Sequence, residues 1–168
     1  MYRTGIEGFG VHICYHNLMR KIERDIVGSF IFSNDGYLLL GKSRKGGVYK
    51  DLWIVPGGGI EPGETELEAV CRETLEEVGI DITKWKIEKM DVSLSGESEK
   101  VLRDTGEKVL VHMQFYNYIV QAPDSHDDIH IQCEDDIVEA AWHPLQTLQD
   151  LDMSPPTCET LKKLGFIK

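Results

Sequence analysis

The chain has 168 residues, of which 41% are hydrophobic and 28% are charged, which is enough apolar material for one compact domain. Lysine and arginine total 18 against 29 aspartate and glutamate residues, so the formal net charge is −11. This balance excludes a general nucleic-acid binder, because the phosphate backbone requires a basic protein face. A phosphorylated substrate would also be repelled unless bound cations reverse the local charge.

The four cysteines, Cys14, Cys71, Cys133 and Cys158, show no metal-ligand spacing, and a chain of this length needs no disulfides to fold. No apolar run approaches the roughly 20 residues of a membrane span, and the N-terminus lacks the pattern of a signal peptide. The sequence therefore predicts a cytoplasmic protein with reduced thiols and no membrane partner.

The first part of the chain divides into an extension and the start of a domain. Residues 1–24 show no regular hydrophobic period, so we expect an N-terminal extension of uncertain order, with Met19 as an alternative start. Residues 25–168 are predicted to form one domain. It begins with a hairpin of two β-rich strands, 26–32 and 37–42, joined by a turn at Asn34-Asp35-Gly36.

A glycine run and a helix follow. After a short apolar strand at 52–55, Pro56-Gly57-Gly58-Gly59 interrupts regular structure and lets the backbone approach a ligand closely. The helix is predicted over 66–78, with a capping box formed by Thr65 and Glu68 and a C-terminal Gly79. Its buried stripe, read from helical spacing, is Leu67, Val70, Cys71, Leu75 and Val78.

The second half of the chain is mainly β-rich. Strands are predicted around 85–94, 109–120 and 137–142. A polar segment with a turn at Asp104-Thr-Gly106 and an acidic loop at 123–136 separate them, and two short helices are expected from Pro144 and over 158–164. Strands with one prominent central helix indicate an α/β domain with a mixed sheet.

The strongest chemical signal lies between Gly58 and Ile80. Glu64 follows Gly58 after five residues, and Arg72-Glu73 follows after seven more, then Glu76-Glu77, Gly79 and Ile80. This pattern resembles the Nudix box at every required charged and glycine position. One aliphatic position after Arg-Glu holds Thr74 instead, whose methyl group can still lie against the core.

The spacing of the acids supports the resemblance on physical grounds. On a helix, Glu73, Glu76 and Glu77 occupy positions i, i+3 and i+4, so we expect one acidic face opposite the apolar stripe. Crowded carboxylates with hard oxygen ligands suit Mg²⁺, or Mn²⁺ in its place, and such ions also hold phosphates. Arg72 is expected to pair with the neighbouring carboxylates and fix their rotamers. The competing interpretation is a solvated acidic helix face.

The resemblance to the Nudix family, which covers the chain from about Asp25 onward, implies the rest of the site. It implies an α/β/α sandwich with a mixed sheet and a loop–helix element, with Glu64, Arg72, Glu73, Glu76 and Glu77 as the catalytic set. It also implies that the Gly57 carbonyl joins the metal shell and that a downstream carboxylate contributes, for which Asp136 is selected from Glu134, Asp135 and Asp136.

Several further side chains are weaker candidates. Lys42 and Arg44, which leave the second strand, are predicted to bind substrate phosphates, with ordinary surface charge as the alternative. Trp53, Phe115 and Tyr118 could stack a base, although aromatic residues in strands more often belong to the core. The acids and histidines between Asp124 and His130 match no zinc pattern, so a solvated loop is expected there.

The resemblance implies a hydrolase of nucleoside diphosphate-linked compounds, with a small nucleotide as partner and a homodimer compatible with the sequence. Segments 102–108 and 152–165 look similar to bacterial Nudix nucleoside triphosphatases that favour pyrimidine deoxynucleotides. A (deoxy)nucleoside triphosphate, cleaved to monophosphate and pyrophosphate, is therefore the expected substrate. A hydrolase of the GDP-mannose type and a non-catalytic nucleotide-binding module are the alternatives. Markers of ADP-ribose hydrolases are not found.

Overall fold

The computed structural model describes residues 19–43, 49, 51–92, 94–102 and 104–168. Within these residues seven strands form one sheet, accompanied by two α-helices. The strands are β1 (Lys21–Phe32), β2 (Tyr37–Ser43), β3 (Trp53–Ile54), β4 (Lys86–Lys89), β5 (Leu94–Val101), β6 (Lys108–Gln121) and β7 (Ile137–Pro144). The helices are α1 (Glu66–Val78) and α2 (Pro155–Lys163), and short 3₁₀ segments cover His126–Asp128 and Leu145–Asp150.

The sheet is mixed, and its centre is a long parallel pair. Strands β1 and β6 run parallel over twelve register positions, from Lys21 opposite Leu110 to Phe32 opposite Gln121. On its other edge β6 pairs antiparallel with β5 along its first half and with β4 along its second half. Strand β2 pairs antiparallel with β1, β3 and β7.

Apolar residues cover both faces of this sheet. On one face Val27, Ile31 and Leu39 belong to clusters that also contain Val70 and Val78 of α1. On the other face Phe30 and Leu38 share a cluster with Leu161 of α2. Alternate residues of β1 thus point to opposite helices, as the pleat of a strand requires. The predicted α/β/α sandwich with a mixed sheet is confirmed.

Three details of the predicted elements were wrong. Strand β1 begins at Lys21, so residues 21–24 extend the first strand instead of preceding the domain. The polar segment expected between the second-half strands spans 95–108, but its first part, 95–101, is most of β5. Its side chains largely alternate between exposed and partly buried positions, as in a strand with one face towards solvent. Pairing with β6 provides hydrogen-bond partners for its backbone.

The third error concerns the buried stripe of α1. Leu67 and Leu75 are half exposed, whereas the buried positions are Ala69, Val70, Thr74, Glu77 and Val78. The buried face is rotated from the predicted one, and Thr74 lies in its centre, with its hydroxyl oxygen 2.7 Å from the Val70 carbonyl and 2.9 Å from the Ser29 hydroxyl. The acidic face consequently adjoins the buried face instead of lying opposite to it.

Neither α-helix in the described part of the chain is long and apolar enough to cross a membrane.

Candidate active site

The glycine run lies along β1. Backbone amides of Val27 and Ser29 donate to the carbonyls of Gly58 and Pro56, at 2.9 and 2.8 Å. Gly57 is held so closely that a Cβ on it would lie 2.1 Å from the Val27 carbonyl oxygen. A side chain at this position would collide with the backbone, because real Cβ contacts are never so short. The loop is therefore fixed against the centre of the sheet.

Helix α1 begins directly after this loop, and both of its ends are capped as predicted. The Thr65 hydroxyl accepts from the Glu68 amide, while the Glu68 carboxylate accepts from the Thr65 amide at 2.8 Å. Gly79 closes the helix in the left-handed conformation, with φ of 70°. These caps define where the helix starts and ends, and so which turn carries each glutamate.

Arg72 connects the acidic residues of the motif. Its guanidinium binds both carboxylate oxygens of Glu64, at 2.8 and 2.9 Å, and reaches Glu73 at 2.9 Å and Glu76 at 3.0 Å. It also donates to the Gly59 carbonyl at 3.0 Å. The bond from Arg72 lowers the pKa of Glu64 to about 2 and, in return, raises the pKa of the arginine. The predicted pairing of Arg72 with neighbouring carboxylates is present, and its orienting role stays a prediction.

Glu77 is the most unusual side chain of the site, because it is a carboxylate with 4% exposure. Its Oε2 atom accepts from the Gly57 amide at 2.8 Å. Burial raises its pKa to about 8, and the negative charges of Glu73, Asp136 and Asp135 act in the same direction. Burial also raises the pKa of Glu73, against the opposing effect of Arg72. At both carboxyls the effect of burial and neighbouring acids thus outweighs the opposing contact, which is the Gly57 amide for Glu77 and the Arg72 guanidinium for Glu73.

The downstream acidic loop meets the C-terminal end of α1. Backbone amides of Gln132 and Glu134 donate to the carbonyls of Val78 and Glu77, both at 3.0 Å. Asp135 adopts a left-handed backbone conformation, with φ of 48°, next to Asp136. Both aspartates are close enough to influence the pKa of Glu77. The loop is thus brought to the acidic helix, and the choice of Asp136 within it stays a prediction.

The donor set of this site fits a divalent cation. In the described part of the chain no three acidic, histidine or cysteine side chains form a ready metal cluster, and Glu73 and Glu76 both contact Arg72. Each uses one carboxylate oxygen for that contact, and Glu77 uses one for Gly57. A second oxygen of each glutamate stays available, and hard oxygen donors of this kind suit Mg²⁺.

A largely apolar cavity adjoins the glycine run at Gly57. Its wall is formed by β1, β3, β6 and the start of α2, and includes Gly28, Phe115, Asn117 and Gly57. Tyr49 also lines it. Gly57 therefore touches both the cavity and the Glu77 carboxylate. Gly57 is thus the residue that the cavity and the acidic helix share.

The structure describes all three aromatic candidates, Trp53, Phe115 and Tyr118, and of these only Phe115 lines the cavity. Trp53 lies edge-on to His143, with ring centroids 4.4 Å apart, and Tyr118 donates to Glu66 at 2.9 Å. Sequence reasoning missed Asn117 and Tyr49. A polar Asn117 within the otherwise apolar end of β6 was a signal that could have been recognised.

Of the two predicted phosphate-binding cations, the described part of the chain includes Lys42 but not Arg44. The Lys42 ammonium lies 4.4 Å from the centroid of the Trp53 ring and 3.4 Å from the Glu139 carboxylate. Arg44 lies outside the described residues. The phosphate-binding role of both stays a prediction.

Comparison with known proteins agrees with this geometry. A family model described as NUDIX domain matches residues 23–164. The Nucleoside triphosphatase NudI of Salmonella agona (strain SL483) is 32% identical over 151 residues, covering 86% of this chain and 99% of the relative. The protein of the same name from Enterobacter sp. (strain 638) is 28% identical over 150 residues, with the same coverage.

Solved structures show the same fold. The E. coli dihydroneopterin triphosphate pyrophosphohydrolase has a TM-score of 0.64 at 18% identity, covering 83% of this chain and 92% of that one. The Nudix hydrolase RenU from M. Smegmatis has a TM-score of 0.63 at 17% identity, covering 86% and 85%.

Proposed function

Because the chain belongs to the Nudix family and is a Nudix hydrolase, we propose that it cleaves a (deoxy)nucleoside triphosphate with bound Mg²⁺. The products would be the nucleoside monophosphate and pyrophosphate. The names of the two nucleoside triphosphatase relatives, which align over 99% of their own length, support this substrate class.

The observation that carries the proposal is the double role of Gly57. Its amide donates to the buried Glu77 carboxylate, and the same residue lines the apolar cavity. A nucleoside in the cavity would therefore direct its phosphates towards the acidic helix. An apolar cavity with a few polar groups beside titratable residues of shifted pKa is the usual form of a small-molecule site.

We assign the roles of the acidic residues as follows. Glu73, Glu76 and Glu77, with the Gly57 carbonyl and Asp136, would hold Mg²⁺, and Mn²⁺ could replace it. When bound, such ions neutralise phosphate charge and lower the pKa of water. Arg72 holds Glu73 and Glu76 in fixed orientations, and Glu64 in turn fixes the guanidinium.

The reaction itself is a substitution at phosphorus. The oxygen of water forms a bond to the phosphorus, the phosphoanhydride bond breaks, and the leaving phosphate carries away the electron pair. A glutamate of the motif accepts the proton that the water loses. Lys42 and Arg44 would add positive charge near the phosphates, which a protein of net charge −11 otherwise repels.

The proposal includes the cellular location, the partner and the assembly of the protein. Cys71, Cys133 and Cys158 are free thiols in the structure. This fits the cytoplasmic location that we propose, with a nucleotide as the partner and a homodimer as a compatible assembly.

A substrate panel tests the proposal directly. The protein is incubated with Mg²⁺ and each of the deoxynucleoside triphosphates, GDP-mannose and ADP-ribose, and the release of pyrophosphate and orthophosphate is measured. We expect monophosphate and pyrophosphate from at least one triphosphate, and ¹⁸O-labelled water should mark the attacked phosphorus. Release of products from GDP-mannose alone would favour the nucleotide-sugar alternative. Nucleotide binding without any turnover would favour a non-catalytic module.

A further inference from the structure

The cavity beside the glycine run contains one buried amide in a defined position. Asn117 of β6 is 5% exposed and lies directly opposite Gly28 of β1 in the parallel register. Because Gly28 has no side chain, the carboxamide of Asn117 occupies the space above it. A Cβ on Gly28 would lie 2.7 Å from Asn117 Oδ1 and 3.2 Å from Val55. The glycine thus leaves room for the amide at the cavity wall.

Hydrogen bonds from α2 determine which way this amide points. The Thr160 hydroxyl donates its single hydrogen to the Pro156 carbonyl at 2.9 Å. Its oxygen can therefore only accept, and it accepts from Asn117 Nδ2 at 3.0 Å. The amide nitrogen must face Thr160, so the amide oxygen must face Gly28. Among the described residues, no hydrogen bond to Asn117 Oδ1 is found.

Asn117 has 5% exposure and lines the cavity, and its Oδ1 acceptor has no donor among the described residues, which points to a ligand as the donor. The surrounding wall is suited to a flat heterocycle, with the Phe115 ring and the apolar side chains of Ile26 and Val55. Such a wall supplies contact area but no preference among bases. Recognition must come from its polar groups, because a site built around a hydrogen bond strongly rejects a ligand that cannot form it.

We propose that Asn117 is a specificity-determining residue that accepts a hydrogen bond through Oδ1 from an N–H group of the substrate base. Thr160 is the positioning residue that holds the amide in this orientation. The donor is an exocyclic amino group or a ring N–H. This inference rests on the proposed nucleoside triphosphate substrate and adds to it the chemistry by which the base is read.

The test compares pairs of triphosphates that differ in one base N–H. The pairs are dCTP with its 2-pyrimidinone analogue, dATP with its purine analogue that lacks the amino group, dGTP with dITP and with N1-methyl-dGTP, and dTTP with N3-methyl-dTTP. For wild-type protein with Mg²⁺, we expect removal of the recognised N–H to lower kcat/KM about tenfold or more, since the Oδ1 acceptor is then left unpaired.

Variants of Asn117 and Thr160 test whether these residues cause the difference in kcat/KM. Asn117→Leu, which has a similar volume but no acceptor, should bring the ratio of kcat/KM within the recognised pair close to one. Thr160→Val should lower the same ratio, because the amide can then rotate. Thr160→Ser is the matched control, since it keeps the hydroxyl and should keep the wild-type ratio. If Asn117→Leu does not fold, the comparison of Thr160→Val with Thr160→Ser tests the proposal. A purely structural role of Thr160 would leave the ratio of kcat/KM unchanged in Thr160→Val.

The outcomes separate this inference from the proposed function. Ratios near one for every pair in an active wild-type enzyme would overturn the role of Asn117 alone. The same holds if folded Asn117→Leu keeps the wild-type ratio, or if Thr160→Val and Thr160→Ser behave alike. Absence of turnover for every triphosphate would overturn the proposed function, and this inference with it.

Discussion

At the scale of single residues, Glu77 carries the largest electrostatic cost in the described part of the site. A buried carboxylate close to three other acids favours its protonated form, and its pKa rises to about 8. A divalent cation would reverse this situation, because it supplies positive charge directly to Glu77, whose pKa no described cationic side chain lowers appreciably. The same burial that makes Glu77 unfavourable without a cation makes it a strong ligand with one.

This cost predicts how the stability of the metal-free protein depends on pH. The folded state binds the Glu77 proton more tightly than the unfolded chain, whose value is 4.5. Between about pH 4.5 and 8 the folded state therefore holds more protons, and the free energy of unfolding from this residue falls as pH rises. Urea unfolding in chelator at pH 5 and pH 8 should show this loss, and Mg²⁺ should stabilise the protein more at pH 8.

The control for this prediction is Glu77→Gln, whose neutral amide does not titrate. Its metal-free stability should change much less between the two pH values, and Mg²⁺ should stabilise it only weakly. The quantity compared is the change in the free energy of unfolding between pH 5 and pH 8 in chelator. If this change is the same for the wild type and for Glu77→Gln, the assignment is wrong.

A second prediction at the residue scale concerns the effect of Arg72 on kcat. Arg72→Lys keeps the charge but cannot bind Glu64 through two parallel bonds while also reaching Glu73 and Glu76. Loss of this orientation should lower kcat on the order of 100-fold, as misplacement of catalytic groups by about 1 Å does. Steady-state kinetics at saturating Mg²⁺ checks the prediction. An unchanged kcat would show that the carboxylates are held by other contacts.

At the scale of elements, α1 positions the acidic residues through its two ends. Its N-terminus depends on the reciprocal bonds between Thr65 and Glu68. Thr65→Ala should lower the free energy of unfolding by about 1 kcal/mol. Thr65→Ser, which keeps the hydroxyl, should lose much less. Chemical denaturation of the two variants measures the difference, and equal stabilities would exclude the cap as a contributor.

Sequence reasoning succeeded for this helix where the signals were local. The bounds of α1, its capping box and its C-terminal glycine were all predicted, because each depends on residues within a few positions. The buried face was not, because Leu67 and Leu75 fit a helical period as well as Thr74 does. Packing against the sheet determines which of the two faces is buried. A buried Glu77 is not expected from the sequence, because burial disfavours a charged carboxylate.

A similar reason explains the missed strand. The residues of β5 carry too few apolar side chains for a strand to be recognised, and their partners on β6 lie up to 21 positions away. The cavity was missed for the same reason, since Gly28, Asn117 and Thr160 meet only after β1, β6 and α2 have packed. The acidic motif was predictable because nearly all of its members lie in one short segment.

At the scale of the whole molecule, the domain should not need the first 18 residues. A chain starting at Met19 keeps Arg20, which pairs with Glu107, and all of β1. We expect it to keep the wild-type Tm and kcat. A chain starting at Val27 is the contrasting control, because it loses six residues that pair with β6 and should unfold. A large loss of Tm or kcat in the chain starting at Met19 would contradict the prediction.

The central claim is that the acidic face of α1 performs metal-dependent hydrolysis, and one pair of variants tests it most directly. Glu77→Gln and Glu68→Gln remove one charge each from the same helix, but Glu68 lies in the capping box, where glutamine is also accepted. With Mg²⁺ and the best triphosphate of the panel, Glu77→Gln should lower kcat by about 100-fold or more, while Glu68→Gln should stay near wild type. Equal turnover of the two variants, or full wild-type activity in excess chelator, would contradict the claim.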